Sequence, residues 1–375
     1  MRLAPNVPLA SLTTLRLGGP ARELAVLEDP SDFPELIATA SRAGSVPRVI
    51  GSGSNVLAAD DGYPGLVARM ATTGVRLDRS HDGERVLVTV QAGHELEALV
   101  NEMVAEGLSG IECLTGIPGT VGATPVQNVG AYGQEVIDTL VSVRAWDWAT
   151  GQEAEITPAQ CRLGHRASVF KHSQRWTILT VTFALTPSKL GPPLTYYAVA
   201  EAAGAPLGER VLIDETVAAV RDVRARKGMI LDPRDPDGRT AGSVFLSPVI
   251  PPDTASRLRA EGAPVNDFPD GATRVSASWL MKAAGFSLGQ QLASGARISR
   301  KHFNLVADDG ATATSFAAAA TTVAQRVQQA TGITIMAEPD LLGDLPAYAR
   351  LSTLEAERAA TSHPACITEF QDAKN

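Results

Sequence analysis

TGIPGTVGATPVQNVGAYGQE, residues 115–135, holds five glycines (116, 119, 122, 130 and 133), Pro118, Pro125, and the polar side chains of Thr120, Thr124, Gln127, Asn128 and Tyr132. Neither a helical nor a strand period survives in it. Glycine at this density raises the entropy lost on ordering the chain, and a stretch this long without regular structure is usually functional. Such a loop wraps a long ligand through its backbone. The bland alternative is a coil packed against its own domain, and ligand binding is favoured at about two to one.

Upstream, GSGSNVL (51–57) follows an apolar strand, Pro47 to Ile50. Two glycines allow close backbone approach, and the amides with Ser52, Ser54 and Asn55 can donate to phosphate oxygens, a pyrophosphate cradle in outline. Alone, the signal is weak. It lacks the lysine of a P-loop and the spacing of GxGxxG, and a Gly-Ser turn after a strand is a plain loop in roughly three cases of four.

Around these loops the two periodicities alternate. Leu24 to Leu27, a helix from Ser31 to Ala43 with Ser31 as N-cap and Gly44 as its stop, and Pro47 to Ile50 read as a β-α-β unit. Strands are expected at Gly65 to Met70 and at Val75 to Leu77 and Val86 to Val90, the last two as a hairpin about Asp82-Gly83. A helix follows from Glu95 to Glu106. Beyond the glycine-rich stretch come strands at Val141 to Trp148 and Trp176 to Leu185, then a helix from Ile213 to Lys227. LDPRDPDGRT (231–240) breaks all regularity and marks a boundary. The last block predicts strands at Ser243 to Leu246, Asn304 to Val306 and Ile333 to Met336. Its helices fall at Thr254 to Glu261, Ala277 to Ala284 and Thr312 to Ala330, the last with Phe316, Ala320, Val323 and Val327 as its buried stripe.

Composition narrows the class. The 375 residues carry a net charge of −8 and are 44% hydrophobic, which suits a globular protein of two or three domains. A pI near 5.4 argues against sequence-independent binding to nucleic acid or to an anionic membrane. Cys113, Cys161 and Cys366 are widely spaced and odd in number, so neither a disulfide framework nor a zinc site is expected, and no metal. Pro5, Pro8 and polar residues interrupt any secretory core in the first twenty residues, no run approaches a membrane span, and a cytoplasmic location is expected.

Five motifs stand in order: GSGSNVL (51–57), GIPGTVGATPVQNVGAYG (116–133), CRLGHRASVFK (161–171), AGSVF (241–245) and AEPDLLG (337–343). Together they resemble the UDP-N-acetylenolpyruvoylglucosamine reductase (MurB) family over most of residues 10 to 343. The resemblance implies an α+β fold. Two lobes have the FAD-binding fold of the FAD-linked oxidase (PCMH-like) type, residues 1–72 with 331–345 returning to them and residues 73–227. A third α+β domain, 228–330, binds substrate, and 346–375 is an extension of unknown role. The implied activity is the NADPH-dependent, FAD-mediated reduction of UDP-N-acetylglucosamine enolpyruvate to UDP-N-acetylmuramate, by a monomer, with FAD held noncovalently.

The residues carried over by the motifs follow. Gly51, Ser52, Gly53, Ser54 and Asn55 would hold FAD at its pyrophosphate. Gly116, Pro118, Gly119, Gly122, Ala123, Thr124, Gln127, Asn128, Gly130, Ala131 and Tyr132 would wrap the rest. Ser243 matches the proton donor, although a lone serine after Ala-Gly is by default a turn hydroxyl. Arg166 matches the arginine on the substrate carboxylate and Glu338 the acid beside it, with Asp340 a competing carboxylate. Tyr196 matches the tyrosine that folds over substrate in the type I subfamily, with Tyr197 adjacent. Lys227 matches a pyrophosphate-binding lysine; Arg224 and Arg226 add positive charge near it, although complementing a helix C-terminus explains the arginines better than the lysine. Ser247 and His302 fall at substrate-contact positions where an asparagine and an uncharged amide are expected, and His165 replaces a tyrosine.

Three rivals are weighed against this reading. Another FAD-dependent sugar or alcohol oxidoreductase of the same fold would often tether its flavin through His or Cys; no His lies between 95 and 164, and Cys113 is the nearby thiol. A binding or regulatory protein would not need Ser243, Arg166 and Glu338 together. A serine hydrolase would need a GxSxG elbow, which is absent.

Overall fold

The computed structural model describes residues 1–79, 83–232, 234–268, 270–292 and 295–352. A four-stranded sheet opens the fold, ordered Arg2–Pro8, Pro20–Leu27, Tyr63–Met70, Arg48–Ile50. The first pair is antiparallel, and Tyr63–Met70 runs parallel to both of its neighbours. The expected β-α-β unit is present, with Tyr63–Met70 inserted between its two strands. The strand Arg2–Pro8 was not expected: it is an edge strand, mostly solvent-facing, and its prolines hide the alternation.

Helix Phe33–Ala43 packs Phe33, Leu36 and Ala40 inward and ends at Gly44, whose φ of 61° is the left-handed C-terminal stop. Its N-terminus differs from expectation. Ser31 is not the cap but lies in a 3₁₀ turn, Pro30–Asp32, where the Asp29 carboxylate accepts the Ser31 amide at 2.8 Å. Asp29 precedes Pro30, and proline in the first turn lets the cap move two residues upstream.

The second sheet is antiparallel, ordered Gln152–Ile156, Leu140–Asp147, Trp176–Pro187, Val86–Gln91, Val75–Asp78. The hairpin between the last two pairs as expected. Helix Leu96–Ala105 buries Leu96, Leu99, Val100 and Met103, and one apolar core joins them to Val88, Val181 and Phe183 and to Leu27, Leu66 and Phe33 of the first sheet and its helix. The two sheets are therefore fixed relative to each other, which is what places the loops between them.

Helices Pro252–Ala260, Ala277–Ala283 and Ala313–Thr331 and two small hairpins, Val265–Asp267 with Thr273–Val275 and Ala296–Ile298 with Leu305–Ala307, enclose a separate core. Phe316, Ala320, Val323 and Val327 are buried in it, as the stripe predicts. Two expected strands do not form. Ser243–Leu246 and Ile333–Met336 meet through an isolated bridge, Phe245 to Ala337, with the Leu246 amide on the Met336 carbonyl at 2.9 Å. Ile333 and Ile335 are buried by packing, so their alternation marks a core contact without a ladder. The strand in this region is Asp340–Leu342, parallel to Val56–Ala58, and it ties the chain's return to the loop 51–55. Residues 346–352 are helical with Tyr348 fully buried; the helix expected from Ser352 to Ala360 lies, beyond Ser352, outside the described residues. Among the described residues, Cys113 and Cys161 are buried free thiols, and no helix is long and apolar enough to cross a membrane.

Candidate active site

The loop 51–55 leaves strand Arg48–Ile50 and is pressed against the glycine-rich stretch. A Cβ on Gly51 would lie 2.2 Å from Thr120 Oγ1, and one on Gly53, at φ 64°, 2.0 Å from the Leu12 carbonyl oxygen. Only glycine allows that approach. Ser54 Oγ donates to the Pro118 carbonyl at 2.9 Å, and Asn55 Nδ2 to Gln127 Oε1 at 2.7 Å. These side chains lock the two loops together. Ser52 Oγ is buried with no hydrogen-bond partner among the described residues. A buried hydroxyl left this way costs about 1–3 kcal/mol unless something accepts from it, which suits a ligand oxygen.

The glycine-rich stretch is not structureless. It folds into 3₁₀ turns at Val121–Ala123 and Pro125–Gln127 and a two-residue hairpin, Gly130–Ala131 with Gln134–Glu135. Asn128 adopts φ 43° and is buried, donating from Nδ2 to Glu135 and accepting the Ile137 amide on Oδ1. The Gly116 amide donates to the Glu97 carboxylate, and its carbonyl receives Arg224 Nη2 at 3.0 Å. Arg224 is buried, with Nε unpartnered among the described residues. It is thus part of the loop's support and not a decoration of a helix end. Burial raises the Tyr132 hydroxyl above its ordinary value, opposed by Arg224.

A cleft with a cavity volume of about 150 Å³ opens between the sheets beside these loops. It is lined by Ile50, Gly51, Thr120, Gly122, Ala123 and Val126 and by Phe170, His172, Gln174, Trp176 and Asp340. Asp340 is the competing carboxylate of the sequence reading; His172, Gln174 and Trp176 escaped it as wall residues, because nothing in the spacing of 170–176 distinguishes a cleft wall from a turn. A mostly apolar cleft with a glycine cradle at one edge suits a ring system held beside a phosphate-bearing chain.

Arg166 sits next to this cleft with φ 56°, a conformation unfavourable for arginine that its contacts hold in place. Nη1 donates to the Asn128 carbonyl at 3.3 Å and Nη2 to the Gly130 carbonyl at 3.2 Å, while Nε is 3.4 Å from Glu338 Oε1. The Glu338 amide in turn donates to the Val244 carbonyl at 2.9 Å, which brings Ser243 to within one residue of that contact. Ser243 is exposed and follows Gly242 at φ 73°. Its loop is held by the buried Asn304, whose Oδ1 accepts the Val244 amide at 3.1 Å and whose Nδ2 donates to Thr240 Oγ1 at 3.1 Å. Asn304 was missed; it lies two residues past His302. Of the two competing carboxylates, Asp340 faces Lys171 Nζ and His172 Nδ1, each at 3.0 Å, and Glu338 faces Arg166.

Tyr196 rests edge-on against Tyr132 with centroids 5.7 Å apart, whereas Tyr197 is 73% exposed. Lys227 is exposed at the end of helix Ile213–Arg226. His302 lies near enough that Lys227 and Arg224 add to burial in lowering its pKa. Ser247 is half-buried, four residues past Ser243. His165 stacks edge-to-face on Phe268 at 5.2 Å; burial, then Arg274 and Arg166, push it down to about 4.

Residues 22–157 match the family described as "FAD binding domain". With two sheets clasping a double glycine loop, this defines an FAD-dependent flavoprotein of the FAD-linked oxidase fold, and the unpartnered Ser52 hydroxyl and the glycine cradle fit that cofactor. Residues 232–342 match the "UDP-N-acetylenolpyruvoylglucosamine reductase, C-terminal domain". Relatives carrying the name UDP-N-acetylenolpyruvoylglucosamine reductase include one from Thermobifida fusca, 39% identical over 350 residues, covering 91% of this chain and 98% of that one. Another, from Nocardia farcinica, is 43% identical over 350 residues, covering 90% and 89%. The crystal structure of UDP-N-acetylenolpyruvylglucosamine reductase (MurB) from Thermus caldophilus superposes with a TM-score of 0.60 at 27% identity, over 91% of this chain and 99% of that one. The chain belongs to the UDP-N-acetylenolpyruvoylglucosamine reductase family.

Proposed function

We infer that this protein reduces UDP-N-acetylglucosamine enolpyruvate to UDP-N-acetylmuramate with electrons from NADPH, in peptidoglycan precursor synthesis. The observation that carries the reading is the convergence of Arg166, Glu338 and the Ser243 loop beside the paired glycine loops. When bound, FAD supplies hydride chemistry, taking a hydride from NADPH and giving one to the enolpyruvyl ether.

Loop 51–55 would hold the pyrophosphate and residues 116–132 the remaining length of FAD. Arg166, fixed by two carbonyls, would grip the substrate carboxylate. Glu338, beside it, would share a proton with that carboxylate as negative charge develops. Hydride addition at the terminal carbon makes a methyl group and leaves the neighbouring carbon carbanionic, and Ser243 would deliver the proton there. A serine is a weak acid, so its use depends on being held against the carbanion with the charge shared by Arg166 and Glu338. Tyr196 would cover the bound sugar nucleotide, and Lys227 with His302 and Ser247 would contact it.

The domain division that suits these roles is 1–72 with 331–345, 73–227, and 228–330 closing over substrate. The reading takes the protein as a cytoplasmic monomer; sedimentation of the flavin-loaded protein should give a single species near 39.3 kDa. The deciding experiment is anaerobic. One equivalent of NADPH should bleach the yellow protein, and UDP-N-acetylglucosamine enolpyruvate should restore its absorbance while UDP-N-acetylmuramate forms. Flavin that stays reduced until oxygen is admitted would reject the reading in favour of an oxidase.

A further inference from the structure

We propose that Lys171 is a positioning residue for this reduction: its ammonium pins the chain on both sides of Pro339 so that the Glu338 carboxyl is presented to Arg166. The inference rests on the function proposed above. Lys171 Nζ donates to the Glu338 carbonyl at 2.9 Å and is 3.0 Å from Asp340 Oδ1, with its side chain only 10% exposed. A lysine ammonium withdrawn from water needs acceptors, and this one has a carbonyl and a carboxylate two residues apart. The two contacts restrain the backbone rotations that decide where the intervening chain carries the Glu338 side chain.

The loop bearing Lys171 also carries Arg166, so both halves of the Arg166–Glu338 pair are set by one six-residue segment. Ser168 anchors it: Oγ donates to the Val126 carbonyl at 2.7 Å and accepts the amides of Phe170 and Lys171 at 3.0 and 3.2 Å. Arg166 reaches the glycine-rich loop from one end; Lys171 and His172 reach the 338–340 segment from the other. On the far side, the Asp340 amide donates to the Asn55 carbonyl at 2.9 Å, so the segment is tied to the first cofactor loop as well. Burial raises the Asp340 carboxyl, but His172 and Lys171 prevail and hold it below its ordinary value, in keeping with a charged anchor. The Arg166 Nε to Glu338 separation of 3.4 Å leaves little room for drift.

The test compares half-reactions in flavin-loaded Lys171→Met. NADPH should reduce the flavin at a rate within about twofold of the parent, because Glu338 has no part in that step. Reoxidation by UDP-N-acetylglucosamine enolpyruvate should slow on the order of 100-fold, the effect of a misplacement near 1 Å. Lys171→Arg, which can still reach a carbonyl and a carboxylate, should recover most of the loss. Lys171→Met/Asp340→Asn removes both charges and so avoids a buried unpaired carboxylate; it should fold, bind FAD and remain slow in reoxidation. Reoxidation within about threefold of the parent in either methionine variant, or equal loss in both half-reactions, overturns the inference. Failure of the parent itself to be reoxidised by the sugar nucleotide overturns the proposed function instead.

Discussion

Arg166 earns its unfavourable backbone from its partners: two carbonyls of the glycine-rich loop and the Glu338 carboxylate surround it. Arg166→Lys cannot reproduce a forked, planar contact, so substrate KM should rise sharply while reduction by NADPH is spared; steady-state and stopped-flow rates on the same preparation would check this. Ser243→Ala should leave flavin reduction nearly intact and slow substrate reduction by about 100- to 10,000-fold, the range of a lost general acid, read from anaerobic reoxidation traces. Gly51→Ala places a Cβ on Thr120 Oγ1, so the purified protein should lose flavin, measured by its 450 to 280 nm absorbance ratio, and Thr120→Ala should restore it. His165 titrates at about 4 in the fold against about 6.5 unfolded. The unfolded chain binds the proton first, so the stability this burial permits is full above about 6.5 and is lost as pH falls toward 4. In urea titrations at pH 7 and pH 5, His165→Phe should narrow the gap between the midpoints. At this scale the motifs named the candidate residues, but they could not separate Glu338 from Asp340 or Tyr196 from Tyr197, since neighbouring candidates differ only in where the backbone points them.

Helix Ala313–Thr331 shows what local pattern predicts and what it omits. Its buried stripe, its Thr312 cap and its Gly332 stop are all sequence features. The carboxylate of Asp60, however, accepts the amides of Ala313 and Thr314 at 2.6 and 2.8 Å from 253 residues away. Burial raises the Asp60 carboxyl, but the hydrogen bonds from Thr314 and Ala313 outweigh it and leave its pKa lowered. The stability it contributes is present above the unfolded value, about 4, and disappears as pH falls through the lower folded value. Asp60→Ala should cost about 1 kcal/mol at neutral pH, the usual worth of such a cap, and nothing at strongly acid pH, measured by denaturant midpoints. Short elements were the least legible. Asp340–Leu342 is three residues long and parallel to its partner, whereas Ile333–Met336 has a strand's alternation and no ladder. Periodicity reports burial on alternate positions, and burial does not require a strand partner.

Across the whole molecule, cofactor and fold support each other, because the two glycine loops, the Arg166 segment and the 338–342 return pack around one cleft. FAD at about 100 times its Kd should stabilise the protein by about 2.7 kcal/mol, visible as a rise in Tm that disappears when the flavin is stripped. The sequence alone determined the order of the motifs, whose resemblance to the family implied the cofactor, and the long helices, because hydrophobic period and capping residues act over a few neighbours. Only the tertiary structure decided that Arg166 faces Glu338, that Lys171 and His172 take Asp340, that Ser54, Asn55 and Gln127 lock loop to loop, and that Asn304 holds the Ser243 loop. Those pairings join residues tens to hundreds of positions apart, and which of them meet is set by how the two sheets and the last helical block pack, a property no local stretch of chain contains.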